Sequence, residues 1–209
     1  MLGFHLHMSQ PLLLTDNFAR AIEYARHVHV NCRKNTSVPF MAHLIGVAAL
    51  VMGENGYVDF PVTEGMVITA LLHDAAEDEG GLPRLKDIEA NFGKEVADIV
   101  EGCSDSLAED SSKKEKWETR KKNYIKKLRE ESKATLLVSV ADKLYNVRAI
   151  LDDRRLLGKE VWKRFNRGRK HQIWYYSELL EVYKVKGPNR LVAELERVLK
   201  QLERLSKSD

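Results

Sequence analysis

The stretch Ile68-Thr69-Ala70-Leu71-Leu72-His73-Asp74-Ala75-Ala76-Glu77-Asp78 starts as a buried helix and turns abruptly acidic. Ile68, Leu71 and Leu72 suit a core. At helical spacing His73 would lie over Glu77 and Asp74 over Asp78, because residues four apart share a face. Asp74, Glu77 and Asp78 would repel one another in apolar surroundings. A divalent cation relieves that repulsion, and His plus Asp are suitable ligands for one. The competing reading is a solvated helix end with clustered acids. A His-Asp pair alone favours that plainer reading, since such dipeptides arise often by chance.

On both sides of this stretch almost every periodic segment has the helical period, and none alternates convincingly as a strand does. Upstream, a helix is expected over about residues 17–31, capped by Thr15 or Asp16, with Phe18, Ala21, Ile22, Ala25 and Val28 as its stripe. A polar turn, Arg33 to Ser37, then leads through Pro39 into a second helix. Met41, Leu44, Val47, Ala48 and Val51 face inward there, with His43 near its start, and Gly53 to Gly56 end it. Pro61 suits the first turn of the third helix, the one that ends in the acids.

Downstream, Gly80-Gly81 reads as a terminator. A short helix follows over 84–91, and another runs from Gly93 to about Val100. Residues 104–116 are polar and charged without an apolar period, which predicts a mobile surface loop. Trp117 resumes order, and Tyr124, Ile125 and Leu128 mark an amphipathic helix. A long buried helix is expected over about 134–157, stopped by Gly158, and one more over about 161–183, rich in aromatics. After Gly187-Pro188 a last helix carries Leu191, Leu195, Val198, Leu202 and Leu205 as a core or partner-facing stripe. No repeat and no linker divides the chain. The expectation is all-α: a tail over residues 1–14, then one helical domain over 15–209.

Composition narrows the function. The chain has 209 residues, enough for one substantial domain. A formal charge of +3 is too small to argue for a nucleic-acid partner. The basic stretch 113–127 also contains acids and reads as an exposed helix and loop. No apolar run approaches the roughly 18 residues that span a bilayer. The first 14 residues lack the basic start and apolar core of a signal peptide. Cys32 and Cys103 form no framework of paired cysteines, so a reducing, cytoplasmic location is expected. His5 and His7 could bind metal adventitiously, but a poorly ordered tail is the plainer reading.

A metal needs about four to six donors. Beyond His73 and Asp74, the candidates are His43, set among apolar positions, and Asp142. A core histidine with a backbone partner would explain His43 taken alone. Asp142 follows Leu136-Leu137-Val138-Ser139-Val140-Ala141, where an unpaired carboxylate would be very costly. Its alternative explanation is a buried salt bridge to Lys143 or Arg148. Lys143, as the next residue, is expected to point elsewhere on the helix. Asn146 lies one turn on, on the same face as Asp142, where it could contact a ligand beside the metal. A hard ion that prefers six ligands suits two imidazoles and two carboxylates.

Four blocks carry a resemblance. They are Arg33-Lys34 before Pro39-Phe40-Met41-Ala42-His43; Ala70 to Asp74 running to Glu77-Asp78; Phe92 to Val96 with Ile99-Val100-Glu101-Gly102; and Ala141-Asp142-Lys143-Leu144-Tyr145-Asn146-Val147-Arg148. In this order, over residues 19–151, they resemble the HD superfamily of metal-dependent phosphohydrolases. Within it they are most similar to the hydrolase domain of RelA/SpoT-type proteins and the stand-alone small alarmone hydrolases. Residues 162–181 are also similar to the C-terminal part of bacterial stand-alone members.

The resemblance implies an HD-type helical bundle that removes the 3′-pyrophosphate of ppGpp or pppGpp with Mn²⁺, giving pyrophosphate and GDP or GTP. It implies His43, His73, Asp74 and Asp142 as metal ligands. Glu77 and Asp78 would then position and deprotonate the attacking water. Asn146 would meet the ribose-phosphate region, and Arg33 and Lys34 would line the base and phosphate pocket. Lys143 and Arg148 are further cations available to a polyanion, or else parts of a solvated face. The chain departs from the family in three places. The Arg33–Pro39 turn is one residue longer and lacks a Gly, Phe40 replaces a Tyr, and Tyr145 stands where a His is usual. Two other functions compete: an HD enzyme acting on another nucleotide or phosphate ester, and a non-catalytic nucleotide-binding module. The second has no need of the Glu77-Asp78 pair.

Overall fold

The structure, a computed structural model, describes residues 10–186 and 190–207. His5, His7, Gly187 and Pro188 lie outside the described residues. Among the described residues there are helices and no strand; the one β-type pairing is an isolated bridge between Cys32 and Pro39.

Helix α1 (Asp16–Val28) starts where Thr15 accepts a hydrogen bond from Asn17 N–H at 3.2 Å. It stops three residues before Asn31, the expected end. The main chain beyond is committed elsewhere: Arg33 N–H donates to Val38 O and Phe40 N–H to Asn31 O. Those bonds close residues 31–40 into a small hairpin, turned by Asn35 at φ 56°, which leads straight into α2 (Phe40–Met52) with Pro39 as its cap residue.

In α3 (Glu64–Leu72) every residue from Met66 to Leu72 is buried. Thr63, whose hydroxyl accepts from Met66 N–H, caps it, so Pro61 lies ahead of the helix rather than in its first turn. The acidic stretch is not one continuous helix. α3 ends at Leu72, His73 and Asp74 form a turn, and α4 (Ala75–Asp78) follows. The cause is local: His73 Nδ1 takes the Ala70 carbonyl at 2.9 Å, the acceptor that a continuing helix would use.

α5 (Gly81–Phe92) begins earlier than expected, with Pro83 inside its first turn. α6 (Lys94–Cys103) and α7 (Trp117–Leu128) follow, then α8 (Lys133–Leu157), capped by Ser132 and stopped by Gly158 at φ 59°. The helix expected over 161–183 is two elements: a 3-10 segment, Gly158–Arg164, and α9 (Gly168–Lys186), separated by residues 165–167. In α10 (Arg190–Leu205), Leu191, Leu195, Val198 and Leu202 are buried, and the helix packs on α8; Leu205 is 41% exposed. The stripe is therefore core, apart from its last residue.

α8 is the spine, packed by α2, α3, α6, α9 and α10. α2 and α3 also pack on each other, so three buried helices meet along one line. Gly46 makes the α2–α8 approach possible. The ring of Tyr145 lies where a β-carbon on residue 46 would be, with Cδ2 2.7 Å away, and its hydroxyl donates to Ala42 O at 3.1 Å. Gly46→Ala should therefore destabilise the fold by about 1–3 kcal/mol, the usual cost of overpacking, as read from urea unfolding. An unchanged midpoint would mean that the two helices part freely.

Candidate active site

His43 comes from the first turn of α2, His73 and Asp74 from the turn after α3, and Asp142 from the middle of α8. The folded chain brings all four together. The Nε2 atoms of His43 and His73 are 3.3 Å apart. Asp74 Oδ2 is 3.3 Å from the first and 3.1 Å from the second; Asp142 Oδ1 is 3.4 Å and 3.6 Å from them. His43 and His73 are each 2% exposed and Asp142 is 3% exposed. Phe40 stacks on His29 and, with Tyr145, meets His43 edge-on.

The donor set fits a divalent cation. Because His73 Nδ1 donates to Ala70 O, the lone pair of that ring lies on Nε2, facing the carboxylates. One donor atom each from His43, His73 and Asp74 lies within 4.8 Å of the others. Among protein charges alone, burial disfavours a charged His73, yet Asp74 and Asp142 outweigh it and raise its pKa well above the imidazole range. Burial pushes His43 down. The pocket thus draws positive charge to the point where the four side chains meet.

Lys143 does not point away from its neighbour. Its long chain curls back so that Nζ donates to Asp142 Oδ2, and it lies over the Tyr124 ring. The salt bridge that sequence spacing argued against therefore exists. Burial raises the Asp142 pKa, and Lys143, followed by His73, overrides it and holds the carboxyl well below the usual range. Asn146 Nδ2 donates to Asp142 Oδ1 at 2.5 Å, and Asn146 Oδ1 accepts from Arg33 Nη2 at 2.6 Å. Arg33 Nη1 is buried and has no hydrogen-bond partner among the described residues. Two cations stand apart from this group. Lys34 reaches Asn166 at 3.3 Å on the surface, and Arg148 is held by Glu194 of α10 at 3.1 Å.

Beside the four lies a cleft of about 230 Å³, lined by Asp74, Glu77, Asp78, Lys121, Lys143 and Tyr175 among others. Burial, then the charge of Asp105, pushes the Glu77 carboxyl up to about 7. Asp78 reaches solvent, but the protein crowding it and the charges of Asp74 and Glu77 bring it to about 7 as well.

Residues 104–116 are only partly the surface loop expected: residues 109, 110, 112, 113, 115 and 116 are exposed, but residues 104–108 and Lys114 pack toward the site. Ser104 is buried and the Asp105 side chain is 2% exposed. Asp105 N–H donates to Glu77 Oε2 at 3.0 Å, and Lys114 Nζ donates to Glu77 O at 2.7 Å. Leu82 N–H donates to Leu107 O, and a β-carbon on Gly81 would fall 2.5 Å from that oxygen. Gly80-Gly81 is thus the seat of this loop as well as a helix boundary. Sequence reasoning missed Asp105, Lys121 and Tyr175. No periodicity marks Asp105, and the other two sit in helices whose burial only packing reveals.

The HD domain family matches this chain over residues 21–170. Mouse guanosine-3′,5′-bis(diphosphate) 3′-pyrophosphohydrolase MESH1 is 32% identical over 184 residues, which covers 87% of this chain and 90% of the mouse protein. The human MESH1 is 32% identical over 186 residues with the same coverage. A solved structure from Listeria monocytogenes EGD-e superposes with a TM-score of 0.63 at 29% identity, covering 78% of this chain and 99% of the other. A structure described as a metazoan ortholog of SpoT that hydrolyzes ppGpp shares the fold, with a TM-score of 0.70 at 24% identity over 92% of this chain and 98% of the other. Matched along most of its length, and in its helical architecture, this chain belongs to the HD domain family and is a relative of the MESH1 hydrolases.

Proposed function

We propose that this protein is a Mn²⁺-dependent hydrolase that removes the 3′-pyrophosphate of ppGpp or pppGpp, leaving GDP or GTP. The observation that carries this reading is the meeting of two imidazoles and two carboxylates at the inner edge of a cleft, with a second pair of acids in the cleft beside them. The names of the relatives supply the substrate class. His43, His73, Asp74 and Asp142 would hold the ion. When bound, a divalent cation supplies Lewis acidity toward a phosphoryl oxygen.

The chain's own groups do the rest. Glu77, with Oε2 fixed by a main-chain N–H, keeps its other oxygen to accept the proton of the attacking water. Asp78 shares the cleft and orients that water. Arg33 and Asn146 meet the nucleotide, the unpartnered Nη1 of Arg33 being a donor free for a phosphate or base oxygen. Lys143 and Lys121, both lining the cleft, balance the charge of a polyphosphate. Lys34 and Arg148 contribute only at long range. The catalytic domain would span residues 15–209. Among the described residues no helix is long and apolar enough to cross a membrane. A nucleotide substrate and the free thiols of Cys32 and Cys103 fit the cytoplasm.

Product analysis tests the proposal. With Mn²⁺ and ppGpp the protein should release GDP and pyrophosphate in equal amounts, and a chelator should stop it. Release of orthophosphate, or faster cleavage of another nucleotide in a panel, would move the substrate elsewhere. Binding of ppGpp without any cation-dependent product would make the protein a nucleotide-binding module.

A further inference from the structure

The loop after α6 brings a buried carboxylate close to Glu77, and the cations around it explain why. Asp105 accepts hydrogen bonds from Arg120 Nη1 and, at 2.5 Å, from Lys121 Nζ. Both donors lie in α7, and their side chains are only 15% and 17% exposed. The same Arg120 Nη1 is 3.8 Å from Glu77 Oε1. Glu77 Oε2 is already taken by Asp105 N–H at 3.0 Å. The remaining oxygen of Glu77 therefore faces a guanidinium that Asp105 holds about half an ångström beyond hydrogen-bond reach.

We propose that Asp105 is the positioning residue that keeps Glu77 usable as a base: its main-chain N–H fixes one carboxylate oxygen, and its side chain holds Arg120 and Lys121 off the other. This rests on Glu77 being the base. A carboxylate in a two-pronged pair with Arg is a strong ion pair and a poor proton acceptor. The charged groups facing Glu77 are Asp74, Asp78 and Asp105 on the negative side and Lys114, Arg120 and Lys121 on the positive side. Of the cations among the described residues, Arg120 alone stands within 4 Å of a Glu77 carboxylate oxygen. Removing the Asp105 charge leaves Arg120 with one carboxylate in reach. The guanidinium then closes onto Glu77, and the proton from water has no acceptor.

The test is a pair of variants. Asp105→Asn keeps the shape and the main-chain donor but loses the charge. Its kcat should fall about 10- to 100-fold, part of the full contribution of a general base, while KM and Mn²⁺ binding stay within about twofold of the parent. Adding Arg120→Met to Asp105→Asn should restore most of the lost kcat, because the intruding cation is gone. Were Asp105 only a clamp on the loop, the double variant would be worse than the single one, and that result overturns the proposal. If Asp105→Asn does not fold, Arg120→Met alone decides. It should keep kcat within about threefold, whereas a loss of 10-fold or more would make Arg120 itself a participant. A crystal structure of Asp105→Asn gives a reading independent of substrate: Arg120 should lie within hydrogen-bond distance of Glu77. If Arg120 has not moved, the proposal fails. If the parent cleaves no ppGpp, the substrate assignment fails, and the crystallographic result still decides the role of Asp105.

Discussion

Asp142→Ala should abolish Mn²⁺ binding and hydrolysis together, and destabilise the fold as well. Asp142 Oδ1 lies 3.4 Å and 3.6 Å from the Nε2 atoms of His43 and His73, and Oδ2 accepts from Lys143. No other carboxylate of α8 lies among these groups, since Asp152 pairs with Arg155 and Asp153 with Arg164. Removing the carboxylate leaves Lys143, whose side chain is 14% exposed, without its acid, and breaking a buried pair in this way costs about 3–5 kcal/mol. Calorimetric titration with Mn²⁺ should show no heat of binding. Asp142→Asn separates the two effects: it keeps the volume and a hydrogen-bond acceptor, folds better than the alanine variant, and still fails to hold the ion. Parental Mn²⁺ affinity in either variant would remove Asp142 from the ligand set.

Glu77→Ala should behave in the opposite way. The Glu77 carboxylate stands outside the four converging side chains and is held by the main-chain N–H of Asp105. Mn²⁺ affinity should match the parent, while kcat drops about 10²–10⁴-fold, the usual range for a lost general base. Turnover at the parental rate would end that assignment.

Glu77 also gives opposite pH slopes to activity and stability. A base must be ionised, so kcat/KM should rise with pH through about 7, the value to which burial and Asp105 push Glu77. For stability the sign reverses. A carboxyl raised from 4.5 to about 7 on folding favours the folded state fully below 4.5, and that advantage is lost as pH rises through about 7. With chelator present, Glu77→Gln should therefore melt higher than the parent at pH 8 and close to it at pH 5. A base held partly desolvated for catalysis costs the fold some stability. Equal melting temperatures at both pH values would show that Glu77 titrates normally.

The helices were largely readable from the chain because their causes are local. Thr15, Thr63 and Ser132 cap, Gly53 and Gly158 stop, and apolar residues recur at helical spacing. His43 and Asp142 could be singled out for the same kind of reason: a charged or polar group within an apolar helix is expensive wherever that helix lies. Errors came where a side chain overrode the local pattern. His73 takes the carbonyl that would have continued α3, and Lys143 folds back onto its own neighbour.

The primary structure by itself determined an all-α chain, the residues able to bind a cation, and the His-Asp and Glu-Asp pairs that carry the family resemblance. Only the packing of α2 and α3 on α8 decided that four of those side chains meet, because distances across 99 residues, from His43 to Asp142, depend on helices docking and not on spacing. Packing also decided the fate of residues 104–116. A polar loop reads the same whether it is solvated or built into a site. Burial of Asp105 between Arg120 and Lys121 is stable only once α4, α5 and α7 have come together around it.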